Sequence, residues 1–426
     1  MRSSINWRGR FRRLVVVAVM GGLLGTTALS HTAPAGASTT NAGMFFGTLE
    51  TVGAHVAQES RDGVKVAMIE LNWSQFEPAE GSWNAQYENQ FKQRIAVLTA
   101  AGMRVSLGLG LQYTPAWVLA KQGSRFVNQH GSTSDSLNMV FSLTARLLAQ
   151  KYLTQVNRIV PLSSFWAVRI TSGGQGELLY PSGGSYWGFD AQALTGRGLP
   201  FGVSQNPFPS WKPGSSGLSP ANMRTWVKWY VDSLANEARW QIFVMGSLKF
   251  HGFYQIITPG VGVPPRALDR LVSANLPDGT LGVGAQWTEI YAQLSKTHNV
   301  VAYVSSLADG SGENGGCGSS DSTVPLTSPS ADSWSAARWI SRIADTYGMA
   351  KSGENPGYSD SVGSNSAFYR DRSNTGMMAV SVHQASSCGF QGLYWAHDVQ
   401  LWDETGSFSQ LATFSRSSAA LPAAAR

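Results

Sequence analysis

Eight short apolar runs, separated by segments of helical periodicity, constrain the architecture of this chain more than any other feature. They are "GMFFGTL" (43–49), "VKVAMIELNW" (64–73), "RVSLGLGL" (104–111), "FWAVRITS" (165–172), "GFYQIIT" (252–258), "VVAYVSS" (300–306), "MAKSG" (349–353) and "FQGLYWA" (390–396). Between them lie patterns at spacings of three and four: Phe91, Ile95 and Leu98 ending at Gly102, and Ala336, Ile340, Ile343 and Tyr347 ending at Gly348. A third helix opens with Ser219 as N-cap and Pro220 at its first position, then runs through Met223, Trp226, Val227 and Tyr230. Strands that alternate with helices pair in parallel through right-handed crossovers, and eight of them close most economically into a single (β/α)8 barrel. A doubly wound open sheet is the competing solution, but no G-x-G-x-x-G follows a strand.

The connections are unequal. Leu178 to Ala221, after the fourth run, and Asp309 to Asp332, after the sixth, are rich in Gly, Pro and Ser and lack periodicity over most of their length. Long loops of this kind in a compact domain carry function or disorder. Both follow strand C-termini, the end at which barrel active sites are built. The tail "SSAALPAAAR" reads as a frayed end after a short last helix.

The N-terminus has the plan of a secretory signal: five arginines, an apolar stretch from Leu14 to about Leu29, and small residues ending in Ala35-Gly36-Ala37. Residues 1–37 are therefore expected to be removed, leaving 38–426 as the mature, extracellular domain. Arg12-Arg13 admits a twin-arginine route, and a membrane anchor is the competing reading of the apolar stretch. Cleavage takes away five arginines and no acid, so the mature chain has 27 Lys+Arg against 26 Asp+Glu, a net charge of +1. The basic character thus belongs to the signal and argues for neither nucleic acid nor a membrane surface as partner. Oligomeric state is not legible. Cys317 and Cys388 are too few for a disulfide framework; the expected topology puts them at opposite ends of the barrel and leaves their pairing open.

The stretch "ITSGGQGELLYPSGG" (170–184) follows the fourth strand, and Glu177 is the only charged side chain between Arg169 and Asp190. Glycines around it permit close approach of a ligand, and neighbouring aromatics lower the local polarity, a setting that raises a carboxyl pKa toward the range a general acid needs. A salt bridge or a helix cap is the plainer reading. A second carboxylate, Glu354, follows the seventh strand in "KSGENPGYSD", where a turn or cap role competes. Strands four and seven face each other across a barrel mouth, and paired carboxyls flanking a bond are the equipment of glycoside hydrolysis.

Two family resemblances attach to these residues. "GGQGELLYPSGGSYWGFD" resembles the strand-four motif of the β-amylases, in which a Gly-Glu-Leu-Arg-Tyr-Pro run carries the general acid, and "SGENPGYSD" resembles their strand-seven Gly-Glu-Asn run with the general base. The resemblance implies Glu177 as acid and Glu354 as base of an inverting hydrolysis. "ELNWSQFEPAEGSWN", with "GMRVSLGLGLQYTPAWVL", is similar to the strand-two to strand-three region of family 42 β-galactosidase-type hydrolases, a retaining clan. That clan normally has Asn before its strand-four acid, where this chain has Gly176; and "LQYTPAWVLAKQG" lacks the His-, Cys-, Gly- and Asp-rich sugar-holding loop of the β-amylases, so starch is not implied.

Further candidates surround the pair. Glu70, late in strand two, lines the site or pairs with Lys65 or an arginine, and Asn355 follows Glu354. His397 and Asp398, at the end of strand eight, are placed to bond sugar hydroxyls or to form a structural pair. Trp73, Tyr113, Trp117, Tyr180, Trp187, Trp211 and Trp395 lie in or beside mouth loops, as stacking platforms or as core. No H-x-H, H-E-x-x-H, Cys/His cluster, G-x-S-x-G or P-loop is present, which argues against metal hydrolase, esterase and nucleotide chemistry. The expectation is a secreted (β/α)8 glycoside hydrolase acting on a carbohydrate without cofactor or metal, inverting, with a retaining β-glycosidase and a non-catalytic carbohydrate-binding barrel as alternatives.

Overall fold

The structure, a computed structural model, describes residues 43–172, 176–355, 366–402 and 407–424; the expected signal segment 1–37 lies outside the described residues. Eight parallel strands form a closed barrel in which each pairs with its sequence neighbours: β1 (Phe45–Thr48), β2 (Val64–Glu70), β3 (Arg104–Gly108), β4 (Ala167–Ile170), β5 (Phe253–Thr258), β6 (Val300–Val304), β7 (Ala350–Asn355) and β8 (Gly392–Trp395), with β8 closing on β1. Each of the eight apolar runs contributes one strand.

Helices cover the outside, and their ends follow local chemistry. In α1 (Ala85–Ala100) the Asn84 side chain accepts from the backbone N–H of Gln86 and Tyr87. α2 (Leu143–Ile159) is capped by Ser142, and α3 (Pro220–Ser247) by Ser219 with Pro220 at its start. α4 (Ala336–Thr346) is capped by Ser335, and α5 (Met377–Ser387) ends at Cys388. Such caps satisfy N–H groups that have no intrahelical acceptor. The loop after β3 contains an antiparallel ribbon, Arg125–Val127 with Thr133–Leu137, whose short polar strands carry no alternation to betray them.

The barrel interior is layered. Phe45, Val66, Met68 and Ile257 pack its lower part, and Ala167, Phe253 and Val301 lie at the strand starts. Above them a polar chain crosses the interior: Ser106 Oγ bonds Gln255 Oε1 at 2.8 Å, and Gln255 Nε2 donates to the Tyr394 hydroxyl at 3.1 Å. Gly47 makes this possible, because a Cβ there would stand 2.6 Å from the Tyr394 ring.

Two expectations are corrected. The C-terminal tail is not frayed over its described part. Ala419 N–H donates to Met44 O at 2.9 Å, Leu421 packs on the cluster containing Phe45, Pro422 O accepts from Trp166, and Ala424 packs on the cluster of Ala167, Phe253 and Val301. The tail closes the barrel floor, because exposed apolar strand starts offer it burial. Nor are the cysteines apart: Cys317 and Cys388 form a disulfide, with Cα atoms 4.9 Å from each other. α5 has only 11 residues, about 16 Å at 1.5 Å per residue, so its end stays beside the loop leaving β6. Gln384, one turn before Cys388, donates to Leu307 O at 3.0 Å, and Cys317 N–H donates to Ser387 Oγ at 3.1 Å.

Candidate active site

Inward-facing residues alternate along a barrel strand, and at the C-terminal mouth that alternation brings three acids and one arginine together. Glu354, on β7, is 8% exposed. Arg169 reaches it from β4, with Nη1 2.8 Å from Oε2, and the Tyr303 hydroxyl donates to the same oxygen at 2.6 Å. The guanidinium lies 4.9 Å from the centre of the Tyr303 ring. Burial alone would lower the Arg169 pKa, but Glu354, Tyr303 and Glu70 together raise it, so the cation is permanent.

Glu177 is presented by the backbone. Ser172 N–H donates to Glu177 O at 2.9 Å, and Leu178 N–H donates to Ile257 O of β5 at 2.8 Å. These two bonds place Glu177 beside Ser172, just past β4, and next to β5. The Ser305 hydroxyl, just beyond β6, donates to Glu177 Oε1. Burial pushes the Glu177 carboxyl up to about 7; Ser305 opposes the shift, the Glu354 charge adds to it, and Arg169 opposes it again.

Glu70 completes the acidic set. Its Oε1 accepts from Gly110 N–H at 3.0 Å, and a Cβ on Gly108, its partner in β3, would overlap the carboxyl at 2.1 Å. Burial raises Glu70 to about 7, with Arg169, Gly110 and Gln112 opposing. Tyr113 stands nearby; burial first, then Glu70 and Glu50, push its phenol up to about 12, which keeps it a neutral donor. His397 Nδ1 lies 2.8 Å from Glu50 Oε2 at the rim. The mouth thus holds Glu177, Glu354, Glu70 and Tyr113, with His397 at its edge.

Other sequence candidates are placed elsewhere. Trp73 is fully buried, stacked on Tyr152 at 4.7 Å, with Nε1 bonded to Glu77. Tyr180 is fully buried against Tyr230 at 4.0 Å, and Trp187 Nε1 donates to Pro181 O at 2.9 Å. Trp395 is buried beside Tyr369, Trp211 beside Trp226, and Trp117 is half-buried with its Nε1 on Glu77 O. Asn355 Oδ1 accepts from Ala308 N–H at 2.9 Å and ties β7 to the loop after β6. Asp398 is fully buried, accepts from Val52 N–H at 2.7 Å and faces Glu59. Of the aromatic candidates, Trp73, Tyr180, Trp187, Trp211 and Trp395 are buried as packing, while Tyr113 and Trp117 are half-buried. Arg169, Tyr303 and Ser305 were missed. Their signal was phase: each stands at an inward position, and Arg169 is a lone charge inside an apolar strand.

Among the described residues no helix is long and apolar enough to cross a membrane, and no group of three or more His, Cys, Asp or Glu could hold a metal ion. No protein-family model matches the chain, and no curated protein matches it by sequence. Solved structures do. The catalytic domain of a β-amylase from Paenibacillus polymyxa superposes with a TM-score of 0.54 at 13% identity, covering 87% of this chain and 97% of that one. A β-galactosidase from the psychrophilic Marinomonas ef1 gives 0.54 at 12%, over 88% of this chain and 59% of that one. A family 42 β-galactosidase from G. stearothermophilus gives 0.53 at 10%, over 89% and 56%. The barrel is common to all four. The chain thus overlaps nearly the whole β-amylase domain but under three fifths of either β-galactosidase, and the shared part is the (β/α)8 fold.

Proposed function

We propose that the protein is a secreted glycoside hydrolase that cleaves an oligo- or polysaccharide with inversion, Glu177 acting as general acid and Glu354 as general base. One observation carries this reading: the two carboxyls come from β4 and β7, lie at one mouth, and take hydrogen bonds from Ser305 and Tyr303 of the same strand. Their environments differ as the chemistry demands. Glu177, raised to about 7, holds a proton to give at neutral pH, whereas Glu354 faces a permanent cation. In the reaction Glu177 protonates the glycosidic oxygen as the bond to the anomeric carbon breaks. Glu354 takes a proton from the water that attacks the opposite face, and exchange with solvent resets both groups.

Export rests on the signal-like segment 1–37, and a carbohydrate substrate agrees with the names of the structural neighbours, a β-amylase and two β-galactosidases. A retaining mechanism is the second reading: a carboxylate held at Oε2 by Arg169 and Tyr303 can bond carbon as well as activate water. A non-catalytic sugar-binding barrel is less well supported, since Tyr180, Trp187 and Trp395, the rings it would use, are buried. Screening the mature protein against a polysaccharide panel, with NMR of the first-formed anomer, tests substrate and stereochemistry together. Release of the anomer with retained configuration would replace the base with a nucleophile.

A further inference from the structure

We propose that Arg169 is a positioning residue that holds the Glu354 carboxylate aimed, so that β4 supplies both the loop bearing the acid and the group that orients the base. The proposal rests on the functional reading above. Arg169 interrupts "FWAVRI" at an inward position, and its side chain is 7% exposed. A cation buried this deeply is unfavourable unless it is paired and hydrogen-bonded. Among the described residues its ion-pair partner is Glu354, on the strand across the barrel and 185 residues away in sequence.

The geometry constrains Glu354 in two ways. Nη1 of Arg169 and the Tyr303 hydroxyl converge on Oε2, which holds that oxygen from two sides. The Tyr303 ring lies against the guanidinium and fixes Arg169 in turn. With its side chain 7% exposed, the cation would act on a sugar through Glu354. Without it the Tyr303 hydroxyl alone would hold Oε2, and the carboxylate would be free to turn about its last bond. A carboxylate turned away from the attacking water cannot take its proton.

The test compares Arg169→Met and Arg169→Lys with the wild-type mature protein in two assays. In steady-state kinetics on the substrate found by the polysaccharide panel, Arg169→Met is expected to lose about 100-fold or more in kcat with KM changed less than threefold, and Arg169→Lys to recover part of the loss. A raised KM with unchanged kcat would show that Arg169 contacts substrate and would overturn the proposal. In the second assay, crystal structures of the wild type and Arg169→Met compare the orientation of the Glu354 carboxylate. The carboxylate is expected to keep one orientation in the wild type and to lose it in Arg169→Met; an unchanged orientation overturns the proposal. This assay needs no turnover, so it stands even if the wild type cleaves no glycoside and the functional reading falls. Should Arg169→Met fail to fold, the double variant Arg169→Met/Glu354→Gln is expected to regain the fold, because it removes the orphaned charge; a double variant no more stable than the single one counts against the pairing.

Discussion

Tyr303 and Ser305, two residues apart at the end of β6, each donate a hydrogen bond to a different carboxyl, Tyr303 to Glu354 and Ser305 to Glu177. Two residues along a strand span about 6.6 Å, so one strand edge sets the carboxyls on successive rungs. The pair is a consequence of strand periodicity as much as of the loops that carry it.

Removal of the acid is the first prediction. Glu177→Gln keeps the size and one hydrogen-bonding oxygen but has no proton to give, so kcat should fall about 10³-fold, within the range for lost general acids. Circular dichroism and substrate affinity should be unchanged. Hydrolysis at the wild-type rate would remove Glu177 from the mechanism.

Ser305 favours the charged form of Glu177, so its loss should move the pH profile in a definite direction. Glu177, at about 7, is protonated below that pH and active as an acid there. Ser305→Ala removes the donor that opposes the shift, which raises the Glu177 pKa further. The basic limb of kcat/KM should therefore move to higher pH than in the wild type, and a move to lower pH would contradict the assignment.

Buried acids away from the mouth make stability depend on pH. Glu59 is raised to about 9 by burial and by the facing Asp398, and Glu237, behind β4, to about 8 by burial against the opposition of Arg146 and Gln241. Both lie above the unfolded value of 4.5, so the folded state binds these protons more tightly. Their stabilisation is complete below that value and is lost as pH rises through 8 to 9. Melting temperature should fall between pH 7 and about 9.5, and Glu59→Gln and Glu237→Gln should each flatten that slope. A wild-type melting temperature that rises over the same interval would refute the argument.

The disulfide closes a segment of 71 residues, for which chain-entropy arguments give about 4 kcal/mol of stabilisation as an upper figure. Cys317→Ser/Cys388→Ser should unfold at a lower denaturant midpoint. Equal midpoints for the two proteins would show that the bond contributes nothing.

Deletion of residues 419–426 uncovers Phe45, Trp166 and Phe253 at the barrel floor. At about 25 cal/mol per Å² of apolar surface, loss of the partly buried Leu421 and its neighbours should cost about 1–3 kcal/mol. Chemical denaturation measures this, together with binding of a hydrophobic dye to the opened floor. A truncated chain as stable as the full one would return the tail to a frayed end.

The sequence by itself determined the order of strands and helices, the parallel barrel and the positions of Glu177 and Glu354 at strand ends. These are local properties: apolar runs, caps such as Ser219, and glycines punctuating the turns, all readable within a dozen residues. Only the tertiary structure decided which inward side chains meet. Arg169 finds Glu354 across 185 residues and Ser305 finds Glu177 across 128, and such pairs depend on how closure staggers one strand against the next. The same closure buried Tyr180, Trp187 and Trp395 as packing, joined Cys317 to Cys388 and drew the tail over the floor. An aromatic ring or an apolar tail has no polarity to announce its destination; it goes wherever the assembled barrel leaves surface to be covered.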